Sequence, residues 1–248
     1  MSIIDACDLI GKPVLTPNRI YPNVDKYETC IVTFSHSVYE KVINDHPHKI
    51  IAKTNTANGD IEIFLLEEYG VLFYMSPIGS AVAATILQEV NHIAGVNNFI
   101  FFGSCGLIDE KAKDKIIIPD KAYRDEGLSY HYLEPSDYIE IKNHQHIEKI
   151  LTENDIPNIT GMTWTTDAIY METDNKVKRH KEDGCLCVEM EASGLQAICD
   201  YLNTDLYIFF FSGDILKEEW DQADLGGERE KSKQLNCFDL AILISQNI

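Results

Sequence analysis

Arginine is scarce in this chain of 248 residues. Only Arg19, Arg124, Arg179 and Arg229 occur, within a balance of 21 basic against 40 acidic side chains that leaves a net charge of -19. Such a charge repels polyanions, which argues against nucleic acid and anionic membrane surfaces as partners and points to a small molecule. No apolar run approaches the roughly 20 residues of a membrane span. The opening MSIIDACDLIGKP has neither the basic front nor the long apolar stretch of a secretory signal, so a cytoplasmic protein is expected. There is no internal repeat, low-complexity tract or Pro/Ser-rich linker. Cysteine is present seven times but without a framework: an odd number of scattered residues in apolar surroundings reads as free core thiols. The lone C-x-C pair of Cys185 and Cys187 lacks a second pair at zinc spacing, so no metal site is expected.

What is present is a globular composition, 45% hydrophobic and 25% charged, in a length ordinary for one domain spanning 1–248. Short β-branched and aromatic runs alternate with helical patterns. Strands are expected at 29–34, 61–76 (a hairpin about Tyr69-Gly70), 98–103, 115–119, 159–166, 185–191 and 206–212. Val82, Ile86, Val90 and Ile93 mark one helical stripe, and Leu195, Ile198, Cys199 and Leu202 a second. Leu235, Phe238 and Ile242 mark a third, running from about Glu228 to Ile244. The fold class that follows is α/β, a three-layer αβα single domain with a central mixed sheet. The polar, Gly-marked segment 217–231 is expected to be a mobile loop.

Ligands of such sheets bind beyond the carboxyl ends of strands. Four of those ends carry polar or glycine signals: Gly103-Ser104-Cys105-Gly106, Thr165-Thr166-Asp167, Glu189-Met190-Glu191 and Ser212-Gly213-Asp214. Singly, each has a plain explanation: a tight turn for the glycines, helix caps for Asp167 or Asp214, an exposed strand edge for Glu189 and Glu191. Four polar ends converging on one rim are harder to dismiss.

The segment Val188-Glu189-Met190-Glu191-Ala192 resembles the most specific signature of the purine/uridine phosphorylase family, whose hydrolytic branch includes the methylthioadenosine/adenosylhomocysteine nucleosidases. Gly103–Gly106 is similar to the family's Gly-Thr/Ser-x-Gly turn, Thr166–Tyr170 to its base-pocket segment, and Asp125–Tyr132 (DEGLSYHY) to a loop of uridine-phosphorylase-like members. Ser212-Gly213-Asp214 stands where the family has an adjacent Ser-Asp pair. The matches run in family order from about residue 29 to residue 214 and on into the last helix.

The resemblance implies a nucleoside phosphorylase-like fold and cleavage of a nucleoside N-glycosidic bond. Glu191 would accept from the sugar 2' and 3' hydroxyls, with Glu189 beside it and Met190 under the pentose. Asp214 would donate to the leaving base, Ile169 and Tyr170 would line the base pocket, Ser104 would sit near the nucleophile, and Cys105 and Gly106 would contact the substrate. His131 would be a further substrate contact. No cofactor is implied, inorganic phosphate being a co-substrate only if cleavage is phosphorolytic. The partner would be a small nucleoside, the assembly a homo-oligomer, dimer or hexamer.

The family's phosphate site is missing. The first turn reads Phe34-Ser35-His36-Ser37-Val38 in place of Gly-Asp-Pro-x-Arg, the second arginine position falls on Phe101, and the third falls near 56–60, where there is no arginine. Three readings stay open: cleavage with an altered nucleophile site helped by Arg19, Lys53 or His36; hydrolysis with a base such as Glu40; or nucleoside binding without turnover. Trp164, Tyr130 and Tyr132 suit either base stacking or core packing.

Overall fold

The computed structural model describes residues 2–57, 59–216, 220–222 and 227–248, with the backbone alone at 228–231. Its strands are β1 (Thr29–Thr33), β2 (His48–Thr56), β3 (Gly59–Leu66), β4 (Val71–Met75), β5 (Asn98–Leu107), β6 (Ile116–Asp125), β7 (Tyr138–Glu140), β8 (Asn158–Thr166), β9 (Cys185–Glu189) and β10 (Asp205–Ile215). The helices are α1 (His36–Asp45), α2 (Ser80–Ala94), α3 (Ser129–Tyr132), α4 (His144–Glu153), α5 (Asp174–Glu182), α6 (Ala192–Leu202) and α7 (Glu228–Ser245). The expectation of mobility over 217–231 falls largely outside the described residues.

The sheet is mixed, in the order β10-β6-β8-β9-β5-β1-β4-β3-β2, with β7 attached to β6. An additional β10–β5 pairing closes β5, β9, β8, β6 and β10 into a ring at one end of the sheet. Parallel pairs join β1 to β4 and β5, β5 to β10, and β8 to β6 and β9, while β2–β3–β4 is the antiparallel extension. Alternate residues of the central strands face opposite ways. Ile208 and Phe210 join a core with α2 and α6, while Phe209 and Phe211 join one with α1, α4 and α7. These are the three expected layers.

Two local expectations are corrected. Gly103-Ser104-Cys105-Gly106 is not a turn: β5 runs through it, paired with β10 and, at Gly106, with β9. Val82 does not face the core; it is 42% exposed, and α2 buries Ala83, Ala84, Ile86, Leu87, Val90 and Ile93 instead. The small alanines let the helix sit close on the sheet and turn the valine outward. Two strands were not expected, the edge strand β2, whose lysines and asparagine hide its period, and the three-residue β7. All seven cysteines are free, with Cys185 and Cys187 buried on β9. Among the described residues no helix is long and apolar enough to cross a membrane, and no cluster of His, Cys, Asp or Glu is arranged for a metal ion.

Candidate active site

At the closed end of the sheet β8 and β9, parallel to each other, meet β5 and β10 antiparallel. In register, Trp164 pairs with Val188, Val188 with Gly106 and Gly106 with Asp214, so the four form one rung across the strands. Asp214 therefore lies two strand spacings, about 10 Å, from the strand that leads into Glu191. The extra glycine of Ser212-Gly213-Asp214 is absorbed as a register shift, a bulge between Ser212 and Asp214 that leaves Asp214 opposite Gly106.

Gly106 is required by space rather than by a turn. A Cβ there would stand 2.7 Å from Leu216 Cδ1, 3.0 Å from Val188 Cγ1 and 3.4 Å from Asp214 Oδ1. Its neighbours diverge in character. Ser104 is exposed, whereas Cys105 is buried with Sγ donating to the Phe211 carbonyl (3.4 Å), and burial pushes its thiol well up.

The two glutamates of β9 and its end are both buried and differently employed. Glu189 spends both oxygens on the protein: Oε1 accepts from Thr165 Oγ1 (2.5 Å) and Thr163 Oγ1 (3.3 Å), and Oε2 from the backbone N–H groups of Glu191 and Ala192 (2.7 Å each). It is thus the anion at the N-terminus of α6, where unsatisfied N–H groups favour negative charge. Thr165 Oγ1 in turn accepts from the N–H of Ser193, whose hydroxyl donates to Glu126 (3.0 Å). Burial raises the Glu189 carboxyl to about 7.

Glu191 Oε1 accepts from the Gly79 N–H at 2.6 Å. Burial, and then repulsion from Glu189, push its carboxyl up to about 8. Gly79, at φ 107, is in a conformation that glycine alone adopts easily. The Ser80 backbone N–H and hydroxyl bind the Met190 carbonyl at 3.0 and 2.8 Å, so the β4–α2 turn is tied to the glutamate segment at three points. Met190 itself is half-buried.

Asp214 is half-buried, with Oδ2 accepting from Trp220 Nε1 at 2.6 Å. Glu172, just ahead of α5, senses it: burial and then the Asp214 charge raise Glu172 to about 7. Leu216 packs with Val188, Ile108 and Val177, and this contact brings the end of β10 against the start of α5. The other candidates are peripheral. Ile169 is 53% and Tyr170 97% exposed. His131 is exposed on α3. Asp167 accepts from the Gly127 N–H at 2.9 Å.

The cations considered for a phosphate lie elsewhere or are engaged. Lys53 pairs with Glu62 at 2.6 Å, and His36 with Glu40 at 3.3 Å, both of the latter well exposed. Arg19 is exposed. Arg124 is buried, donating to Ser129, the Glu134 carbonyl and Ser136 and lying 4.2 Å over Tyr130, while Arg179 contacts His180. Trp164 is fully buried and stacks on His180, and Tyr132 packs against Tyr201, so both serve packing.

Gly79, Thr163 and Glu172 were not singled out from the sequence, and Thr165 only as part of a polar strand end. Pro-Ile-Gly before a helix was a turn signal for the first; the threonine pair depends on a register between β8 and β9 that no local pattern carries.

The phosphorylase superfamily profile matches residues 28–241. An uncharacterised protein of Acanthamoeba polyphaga mimivirus is 28% identical over 184 residues, covering 68% of this chain and 66% of its own. A DeoD-type purine nucleoside phosphorylase of Brevibacillus brevis is 30% identical over 142 residues, covering 55% and 60%. A guanosine phosphorylase of Halorubrum lacusprofundi is 28% identical over 126 residues, covering 49% and 51%. The chain thus spans between about half and two thirds of these relatives' length. Among solved structures, a futalosine hydrolase mutant of Helicobacter pylori superposes with a TM-score of 0.69 at 10% identity, covering 90% of this chain and all of that one, which speaks to fold alone. With a profile match across most of its length and that fold, the chain belongs to the phosphorylase superfamily.

Proposed function

We propose that the protein cleaves the N-glycosidic bond of a nucleoside. The observation that carries this reading is the pairing of a buried carboxylate, Glu191, anchored by one backbone N–H, with a second acid, Asp214, one strand beyond its neighbour on the same rim. As the bond from C1' to the base nitrogen breaks, its electron pair leaves with the base and positive charge builds on the pentose. Glu191, ionised, accepts from the 2' and 3' hydroxyls and stabilises that charge; Asp214 donates a proton to the base; water bonds to C1' and gives up one proton to solvent, from which Asp214 is reprotonated. Met190 floors the pentose, and Glu189 holds Glu191's backbone. Ser104 and Gly106 border the nucleophile's side with Cys105 beneath them. Ile169 and Tyr170 are offered to the base at the open rim, and His131 to its outer edge.

Water is the favoured nucleophile, since no arginine is directed to this rim among the described residues and phosphate would enter a chain of charge -19. Phosphorolysis is the second reading, supported by the phosphorylase names among the relatives. The reaction needs no cofactor, and the protein acts as a cytoplasmic homo-oligomer.

The test is a panel of purine and pyrimidine nucleosides incubated with and without phosphate, following free base and sugar products. Base release without phosphate is expected; release only with phosphate selects the second reading, and binding without release overturns both. Glu191→Gln and Asp214→Asn are each expected to lower kcat/KM more than tenfold, about 1.4 kcal/mol or more of transition-state stabilisation. Full activity in both contradicts the assignment.

A further inference from the structure

The face of the sheet opposite α2 and α6 carries a cleft of about 310 Å³ where α7 crosses the starts of β6 and β8. Ser212, two residues before Asp214, borders it, but neither Glu191 nor Asp214 lines it, and the proposed reaction makes no use of it. Its walls are apolar, chiefly Ile116, Ile156, Phe211 and Leu240, and its rim carries Lys115 and Lys233. Lys233 is shared with Asp114 at 3.5 Å. Lys115 is half-buried, and among the described residues its amine has neither a hydrogen bond nor an ion pair.

Exposed lysines such as Lys113 and Lys178 also stand unpaired among the described residues, but the other half-buried lysines, Lys176 and Lys233, each hold a carboxylate. A half-desolvated ammonium at the mouth of an apolar cleft is a seat for one negative charge joined to an apolar body. The volume is at the low end of ligand pockets, roughly 300 to 1,000 Å³, which fits one ring or a short aliphatic chain. A multiply charged anion is disfavoured by Asp114 beside Lys233 and by the negative field of the whole chain. The neighbouring Cys237 thiol, pushed by burial up to about 12, stays protonated and adds no opposing charge.

We propose that this cleft binds a small monocarboxylate with an aromatic or short aliphatic body, its carboxylate on Lys115 and its body against Phe211, Ile156 and Leu240. The experiment is calorimetric titration of the full chain with phenylacetate, phenylacetamide and inorganic phosphate. Phenylacetate is expected to saturate one site per chain, with the amide at least tenfold weaker and phosphate failing to compete. Lys115→Gln should weaken phenylacetate at least fivefold. Leu240→Trp should fill the cleft and abolish binding; because Leu240 is buried, the rim variant Lys115→Gln keeps the test independent of a folding defect. Equal binding of acid and amide, competition by phosphate, no saturation at millimolar acid, or unchanged affinity in Lys115→Gln would each overturn the proposal. Since the readout is binding, it stands or falls separately from nucleoside cleavage.

Discussion

Glu191 is held where an ionised carboxylate is least welcome, buried and two residues from a second buried carboxylate, with a single backbone N–H on Oε1. Glu189, by contrast, accepts four hydrogen bonds, which explains why burial raises it to about 7 and Glu191 to about 8. Both values lie above the ordinary 4.5 of an unfolded glutamate, so the folded state binds these protons more tightly. Their favourable contribution to stability is present below about pH 4.5 and is lost as pH rises through about 7 to 8. Chemical denaturation between pH 5 and 9 should therefore show a falling component that shrinks in Glu191→Gln; an unchanged slope in the variant contradicts the burial account. In catalysis the sign reverses: Glu191 acts ionised, and its titration should contribute a rising limb of kcat/KM centred on about 8 in the free enzyme. The Val-Glu-Met-Glu-Ala run was legible in the sequence because its residue types are so unusual at a strand end. The division of labour within it was not, since it depends on the hydroxyls of Thr163 and Thr165 arriving from β8.

Strand ends made the site legible at the scale of elements, and strand register hid its detail. The apolar runs placed β1, β4, β5, β8, β9 and β10 close to where they form, but Gly103–Gly106 read as a turn because two glycines in four residues carry the local signature of one. Only the arrival of β9 on one side and β10 on the other makes the segment a strand, and it makes Gly106 the position where they come closest. Ile169 and Tyr170, which the family resemblance assigns to the base pocket, lie at the surface, Tyr170 97% exposed. Gly106→Ala would press a methyl to 2.7 Å from Leu216 and 3.0 Å from Val188. Such overpacking costs about 1 to 3 kcal/mol, and because Asp214 is its partner across the rung, activity should fall further than the lost stability explains. Urea melts beside kcat/KM measure both; wild-type values for the two would mean the rung is not tightly packed.

For the whole molecule, sparse arginine and a strongly negative field stand against a phosphate-based reaction, and exposed apolar side chains bear on assembly. Ile78 (64%) and Val82 (42%) are open at the start of α2, beside the Gly79 that holds Glu191, and Trp220 (58%) is open beside Asp214. In the proposed homo-oligomer these side chains are the ones to be covered, so sedimentation should show an oligomer and Val82→Glu should shift it toward monomer; a wild-type monomer at micromolar concentration contradicts this. The central claim is that Glu191 grips the sugar hydroxyls while Asp214 serves the base. It is tested most directly by comparing kcat/KM for a ribonucleoside and its 2',3'-dideoxy analogue in the wild type and in Glu191→Gln. The account predicts a preference for the ribonucleoside of at least tenfold that collapses in the variant. A preference of the same size in both proteins would contradict it.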